Sequence, residues 1–284
     1  MDEKFITVFD DTTNEIFDAE QCRKLGITKL NSCYQFENLW YYDAFNTDST
    51  QFSAACRQSD TPIVPTLPCS LFRFAYSLIC ENGVFSAFIL CPHGKFTPYY
   101  KNAKKAVDMF MRRKGMRKSG FNLYVINTKS FSLGVEYAFL NIISDIYTFH
   151  FTAKETAERA KKRHSKALTY ILSMDDFGMF HGKKILGTRV IELDITQSVE
   201  AVQLEKFAEI VSVGIIRCGL RENKCDFALS YGAECDFHKR ILGRIKKNLM
   251  CDPYAVTQYS IPTASVFGNN AVCIHVLPKP DIEL

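Results

Sequence analysis

The chain has 284 residues, 47% of them hydrophobic, and a formal charge of +4; it is long and apolar enough for one large or two ordinary folded domains and is not of disordered composition. The charge is unevenly placed: residues 1–60 carry five basic and eleven acidic side chains, residues 61–166 seventeen and six, a polarity that suits an anionic partner. Eleven cysteines with no CxxC pair, no signal peptide and no apolar run of transmembrane length argue against a disulfide-built secreted module and a membrane protein, and for a reducing compartment, cytosol or nucleus.

In chain order, the acidic first segment reads as a strand over Phe5–Phe9 and a helix beginning over Ala19–Lys24. An aromatic knot follows, with Trp40 beside Tyr41 and Tyr42, expected to be a packing element. Pro62, Pro65 and Pro68 mark a boundary, because repeated prolines continue neither a ladder nor a helix. Leu71–Cys80 and Gly83–Cys91 place large apolar residues at nearly every second position around the Glu81-Asn82 turn, a pattern that predicts a β-hairpin. His93 to Lys101 then sets aromatic rings beside lysines, and Lys101 to Lys118 holds eight basic residues against the single acid Asp108. Strands are predicted over Phe121–Ile126 and Ser130–Gly134 around an Asn127-Thr128-Lys129 turn, and over Tyr137–Phe151.

Five short strands with a basic, aromatic surface suggest a small barrel that binds single-stranded nucleic acid. Bases stack on Phe and Tyr at about 1–3 kcal/mol each while phosphates follow a cationic track. Against this stands the ordinary meaning of the same residues: strand aromatics are usually core, and a charge run is usually a solvated helix face. Past Phe151, Thr152 caps a predicted helix to about Leu172 with a basic face. A strand over Arg189–Ile195, a helix over Val199–Val211, a strand near Ile215 and a basic helix over Phe237–Leu249, ended by Asp252-Pro253, complete an α/β region.

The order LFRFAYSLICENGVFSAFILCPHGKFTPYY, then FNLYVINTKSFSLGVEYAFLNIISDIYTFHF, resembles the second OB-fold domain of the protection-of-telomeres family. His93-Gly94-Lys95-Phe96-Thr97-Pro98-Tyr99 resembles that family's Asp-Gly-x-x-Thr-Pro-aromatic turn, with His93 replacing the Asp. Ser132-Leu133-Gly134-Val135 and Phe139-Leu140-Asn141-Ile142 resemble its later strand steps. Phe267-Gly268 leading to Ile274-His275-Val276-Leu277-Pro278 resembles its closing strand.

The resemblance implies a five-stranded Greek-key OB-fold barrel with α/β additions. Residues 1–65 would be an acidic extension packed on the barrel, 66–151 its core strands, 152–253 a large α/β insertion or subdomain, and 254–284 the closing strand and C-terminus. It also implies a nuclear protein that caps chromosome ends on telomeric single-stranded DNA, with a possible shelterin-like protein partner and no membrane association. Stacking would fall to Phe96, Tyr99, Tyr100, Tyr124, Phe131 and Phe267, and phosphate contacts to Lys95, Lys101 and Lys129. Hydrogen bonds from the turns would come from His93, Thr97, Asn127, Asn269 and Asn270.

Catalysis is not expected. Asp175, Asp176, Glu192 and Asp194 could hold magnesium in a structure-specific nuclease, yet no lysine completes such a motif. Cys225, Cys235, His238 and Cys251 contain only one close pair for zinc, and no nucleotide-binding glycine motif points to a cofactor. A basic interaction scaffold that docks an acidic protein is the other alternative.

Overall fold

The computed structural model describes residues 5–10, 19–30, 33–36, 39–41, 54, 57–58, 65–84, 86–113, 120–174, 185–186, 191–192 and 201–279. Two four-stranded sheets organise them. The first contains β1 (Phe5–Asp10), β2 (Ile27–Leu30), β6 (Ser86–Cys91) and β7 (Asn122–Asn127), in the order β2-β1-β6-β7. All its pairs are parallel, with Thr7 opposite Ile27, Thr7 opposite Phe88, and Phe88 opposite Tyr124. A small antiparallel sheet of β3 (Cys33–Phe36), β4 (Leu39–Tyr41) and β5 (Pro65–Thr66) follows β2.

Parallel strands require crossovers, and helices supply them on both faces. Along β6 the side chains alternate: Ala87, Ile89 and Cys91 face one apolar cluster and Phe88 and Leu90 another. The first cluster is covered by α2 (Cys69–Glu81) and α3 (Tyr99–Met111), through Phe72, Tyr76 and Ile79 and through Tyr99, Ala103, Ala106 and Phe110. The second is covered by α1 (Ala19–Leu25), α4 (Leu133–Ile143) and α5 (Ala153–His164). A π-helical turn, Ser144–Thr148, continues α4.

The second sheet has the order β12-β11-β13-β8, from β8 (Leu168–Ser173), β11 (Cys225–Tyr231), β12 (Val256–Gln258) and β13 (Ala271–Pro278). The β11–β13 and β13–β8 pairs are antiparallel and β11–β12 is parallel. On β13, Val272, Ile274 and Val276 pack with α6 (Ala201–Arg217) and α7 (His238–Leu249). Ala271, Cys273, His275 and Leu277 face the other way, toward α4 and the loops of the first sheet. That contact joins the halves: Tyr137 Oη donates to Asp226 at 3.1 Å, and Asn141 Nδ2 donates to the Pro278 carbonyl at 3.3 Å. Between β9 (Ile185–Leu186) and β10 (Ile191–Glu192) a short antiparallel pair forms. Helix α8 (Ile261–Phe267) leads into β13 and lies against β5.

The OB-fold expectation is overturned. The first sheet is parallel with open edges at β2 and β7, whereas the expected barrel needs antiparallel strands closed on themselves. No hairpin spans 71–91. Phe72, Phe74, Tyr76 and Leu78 fit a strand period, but Phe72, Ala75, Tyr76 and Ile79 fit a helix, and the helix is what forms, leaving Phe74 and Leu78 exposed. Ser130–Gly134 and Tyr137–Phe151 are likewise not strands. Helix α4 is buried nearly all round, because it lies between the two sheets, and so lacks the polar face that marks a helix in sequence. The expected strand near Ile215 is part of α6, and β13 pairs with β8 and β11 instead of closing a barrel. Strands β1 and β7 and helix α7 lie where they were expected. Thr152 does cap α5 through a capping box with Glu155, but that helix ends at His164 and β8 follows.

Candidate functional site

Ligands in open parallel sheets bind beyond the carboxyl ends of the strands. In the first sheet those ends open into the β6–α3 loop (92–98) and the β7–α4 loop (128–132). The loops are tied together: His93 N–H donates to the Ser130 carbonyl at 3.0 Å. The Asn127 side-chain oxygen accepts from Gly94 N–H at 3.3 Å and from Lys129 N–H at 3.1 Å. Gly94 leaves little room for a side chain, since a Cβ there would lie 3.1 Å from Tyr100 Cβ and 3.2 Å from Asn127 Nδ2. Lys129 and Ser132 hold φ of 52° and 43°, a region that non-glycine residues seldom occupy without support from their surroundings.

From the second sheet, α8 and the turn 268–270 meet these loops. Phe96, Phe131, Phe267, Tyr259, Ala264 and Val266 form one buried apolar cluster with Ala271 and Cys273. Phe131 packs edge-on against Phe267 with centroids 4.6 Å apart, and His93 packs edge-on against Phe96 at 4.9 Å. Tyr259 Oη fixes the turn by donating to the Gly268 carbonyl at 2.6 Å.

Two hydroxyls stand out in this apolar setting. Thr97 Oγ1 and Thr263 Oγ1 are buried and have no hydrogen-bond partner among the described residues, with Thr97 4% and Thr263 0% exposed. Thr97 follows Phe96 and Thr263 precedes Ala264, two members of that cluster. Ser260 Oγ, just before α8, is also buried without a partner. A buried hydroxyl left unbonded costs about 1–3 kcal/mol, and a ligand oxygen would remove that penalty.

The electrostatics suit an anion. His93 has its pKa pushed down to about 4, first by burial and then by the positive charges of Lys129 and Lys95, which places cations beside the loop. Deeper in the junction His275 is fully buried, with Ser130 Oγ 3.1 Å from Nδ1 and Ser230 Oγ 2.8 Å from Nε2. Its pKa is pushed down to about 3 by burial, so the ring is neutral and joins the two sheets as a hydrogen-bonded strut. Gly134 lies beside it, and a Cβ there would fall 1.8 Å from Ser130 Oγ.

The turn itself depends on Gly232, where a Cβ would lie 2.1 Å from the backbone oxygen of Asn269 and 2.5 Å from its carbonyl carbon. Gly232→Ala should therefore displace residues 268–270 and destabilise the fold by about 1–3 kcal/mol. A urea midpoint equal to wild type would show that the turn yields freely.

Of the residues expected from sequence to form a site, the structure brings His93, Phe96, Thr97, Asn127, Lys129, Phe131, Phe267, Asn269 and Asn270 to this junction. Tyr99 is fully buried in the core under α3, and Tyr124 is stacked on Phe88 at 5.4 Å on the face covered by α4 and α5. Tyr100 and Lys101 belong to α3, and Lys95 is exposed at the loop tip. Sequence reasoning missed Thr263, Ser260, Ser130 and His275. The Ser260-Ile261-Pro262 helix-start signature was the one local signal for α8.

Asp175, Asp176, Asp194 and Tyr42, together with Lys114, Arg117 and Lys118, lie outside the described residues, as do the side chains of Glu192 and Trp40. His238 of the expected zinc set donates from Nδ1 to the Cys235 carbonyl at 2.6 Å and stacks on Tyr231. Among the described residues no three His, Cys, Asp or Glu side chains converge as metal ligands.

No family model matches the chain, and no curated protein matches its sequence. Solved structures do match. A fatty acid binding DegV family protein from Streptococcus agalactiae aligns with a TM-score of 0.75 at 13% identity, over 97% of this chain and 99% of its own. A stearic acid-binding protein from Eubacterium ventriosum aligns with a TM-score of 0.74 at 10% identity and the same coverage. DegV, a fatty acid binding protein from Bacillus subtilis, aligns with a TM-score of 0.71 at 10% identity, again over 97% and 99%.

These likenesses, with the parallel first sheet, correct the telomeric reading. Single-stranded telomeric DNA and a shelterin-like partner, the nuclear location and the chromosome-end role all rested on a barrel that does not form, and the nuclease alternative finds no support in these neighbours either. Phe96, Phe131 and Phe267, expected to stack on bases, are at most 6% exposed and pack on one another. In fold, over nearly its whole length, the chain is similar to the DegV family fatty acid binding proteins.

Proposed function

We propose that this protein binds a fatty acid at the junction of its two sheets, and that it is a binding protein and not an enzyme. The observation that carries the reading is the pair of buried hydroxyls without a partner among the described residues, Thr97 Oγ1 and Thr263 Oγ1, each next in sequence to a member of one apolar cluster. Such a site matches a molecule with one polar end and a hydrocarbon body: the carboxylate accepts from the hydroxyls, and the acyl chain takes apolar surroundings. Lys129 and Lys95 add the positive potential that a carboxylate needs. The fold is shared with proteins named for fatty acid binding, a fold-level analogy that raises the prior without assigning any residue.

Calorimetric titration with oleate tests the reading. Thr97→Val and Thr263→Val should each weaken binding by about 10–100-fold, the worth of a charge-assisted hydrogen bond. Neither should lower the thermal midpoint of the ligand-free protein, because valine removes an unbonded hydroxyl with little change of shape. The methyl ester of the same chain should bind weakly to wild type. Absence of oleate binding, or valine variants that bind oleate as wild type does, would sink the proposal.

A further inference from the structure

The outer surface of the α2–α3 layer is the least ordinary exposed surface among the described residues. Helices α2 and α3 bury one side against the first sheet. On the opposite side α2 exposes Phe74, 62% accessible, and Leu78, 43%, one helical turn apart, and α3 exposes Met109 at 40%. Scattered exposed apolar residues are ordinary, but a phenylalanine and a leucine one turn apart on the same outer line of α2 form a continuous apolar strip.

Exposed cations lie on the neighbouring helix and at its end. Lys101, Lys104, Lys105, Arg112 and Arg113 are exposed, against the exposed carboxylates Glu81 and Asp108 on the same two helices. Arg113 bridges the helices, donating to Ser77 Oγ at 3.1 Å while its guanidinium lies over the Phe110 ring at 5.2 Å. Long lysine stems can lay their methylenes on an apolar surface and keep the charge at its edge. Both helices also start at the candidate site: α2 follows Thr66-Leu67-Pro68 and α3 follows the His93–Pro98 loop. Asn102 Nδ2 on α3 holds the two starts together by donating to the Leu67 carbonyl at 2.9 Å.

We propose that this α2–α3 face docks on a bilayer surface that contains anionic lipid, with Phe74 and Leu78 of α2 entering the headgroup region and the exposed cations of α3 and its end pairing with lipid phosphates. Charge complementarity selects this occupant. Cations on one helix beside an apolar strip on the next match an interface that offers negative headgroups above hydrocarbon. A purely acidic protein partner would use the cations and leave Phe74 and Leu78 without a role. Docking here is independent of the ligand held at the junction, though a bilayer is also where a fatty acid would be collected or delivered.

The test is co-sedimentation of the full chain, without added fatty acid, with vesicles of phosphatidylcholine alone or mixed with phosphatidylglycerol, at low and high salt. Binding is expected to the mixed vesicles, falling as salt rises. Phe74→Ser combined with Leu78→Ser should weaken it about tenfold, and Lys104→Glu combined with Lys105→Glu should weaken it further. Oleate titration of the same variants should be unchanged, since none of these side chains belongs to the junction. Failure of wild type to sediment with anionic vesicles would overturn the proposal. So would sedimentation that Phe74→Ser with Leu78→Ser leaves intact, or binding to polyglutamate at least as strong as to vesicles, which would indicate an acidic protein partner. A protein that binds vesicles but not oleate would instead overturn the fatty acid reading and leave this one standing.

Discussion

Asp145→Ala is expected to destabilise the protein by about 3–5 kcal/mol, the range for removing one partner of a buried ion pair. Asp145 is fully buried on the π-helical turn after α4. Its oxygens accept two hydrogen bonds from Arg163 Nη2, both at 3.1 Å, and one from Nη1 at 3.2 Å, and Arg159 Nε lies 3.5 Å away. Both arginines belong to α5 and are at most 8% exposed. Arg159 is further held with its guanidinium over the Phe151 ring at 4.1 Å. Truncating the carboxylate would leave the Arg163 guanidinium buried without these three hydrogen bonds in the layer that covers the first sheet. Urea unfolding at neutral pH measures the loss. Asp145→Asn should fall between wild type and alanine, since it keeps an acceptor and loses the charge. An alanine variant within about 1 kcal/mol of wild type would mean that water reaches this site freely.

Mild acid should destabilise the protein, with histidines as the main cause. His164 and His275 are buried, and burial pushes each pKa down to about 3, with Arg163 and Lys129 adding to the effect at His164. Around His275 stand Ser130, Thr169 and Ser230; all three are neutral. In the unfolded chain both rings take up a proton near pH 6.5, so between about 3 and 6.5 the unfolded state binds more protons. Their contribution is therefore complete above pH 6.5 and is lost as the pH falls, by roughly 2 kcal/mol per ring at pH 5. His93, lowered to about 4, adds a smaller loss in the same direction because it is only partly buried. Urea midpoints from pH 7.5 to 5 measure the slope, which His275→Asn should reduce. A midpoint that holds steady down to pH 5 would show that these rings are protonated in the native state or reach solvent.

What could be read locally and what could not separate along physical lines. Strand β7 and helix α7 were legible because each carries its own period and its own stop signals: the polar Asn127-Thr128-Lys129 turn, and Asp252-Pro253. Thr152 was legible as a helix start because a cap satisfies backbone groups within a few residues. Helices α2 and α4 were not. In α2 the apolar residues satisfy both periods at once, and only the sheet beneath it decides between them. In α4 burial on all sides erases the polar face, and that burial exists only because two sheets meet there.

The candidate site divides in the same way. The sequence by itself determined that His93 to Pro98 is a glycine- and proline-marked loop beside a basic segment, and that Asn127 to Lys129 is a turn, since glycine, proline and short polar side chains bias the backbone wherever they stand. Only the tertiary structure decided that these two loops lie side by side and meet α8, that Phe96, Phe131 and Phe267 share one apolar cluster while Tyr99 and Tyr124 pack in the cores of the first sheet, and that His275 reaches Ser130 across 145 positions. Parallel strand order and the meeting of two sheets are long-range choices. They are set by which faces bury each other, and no single stretch of sequence carries that information.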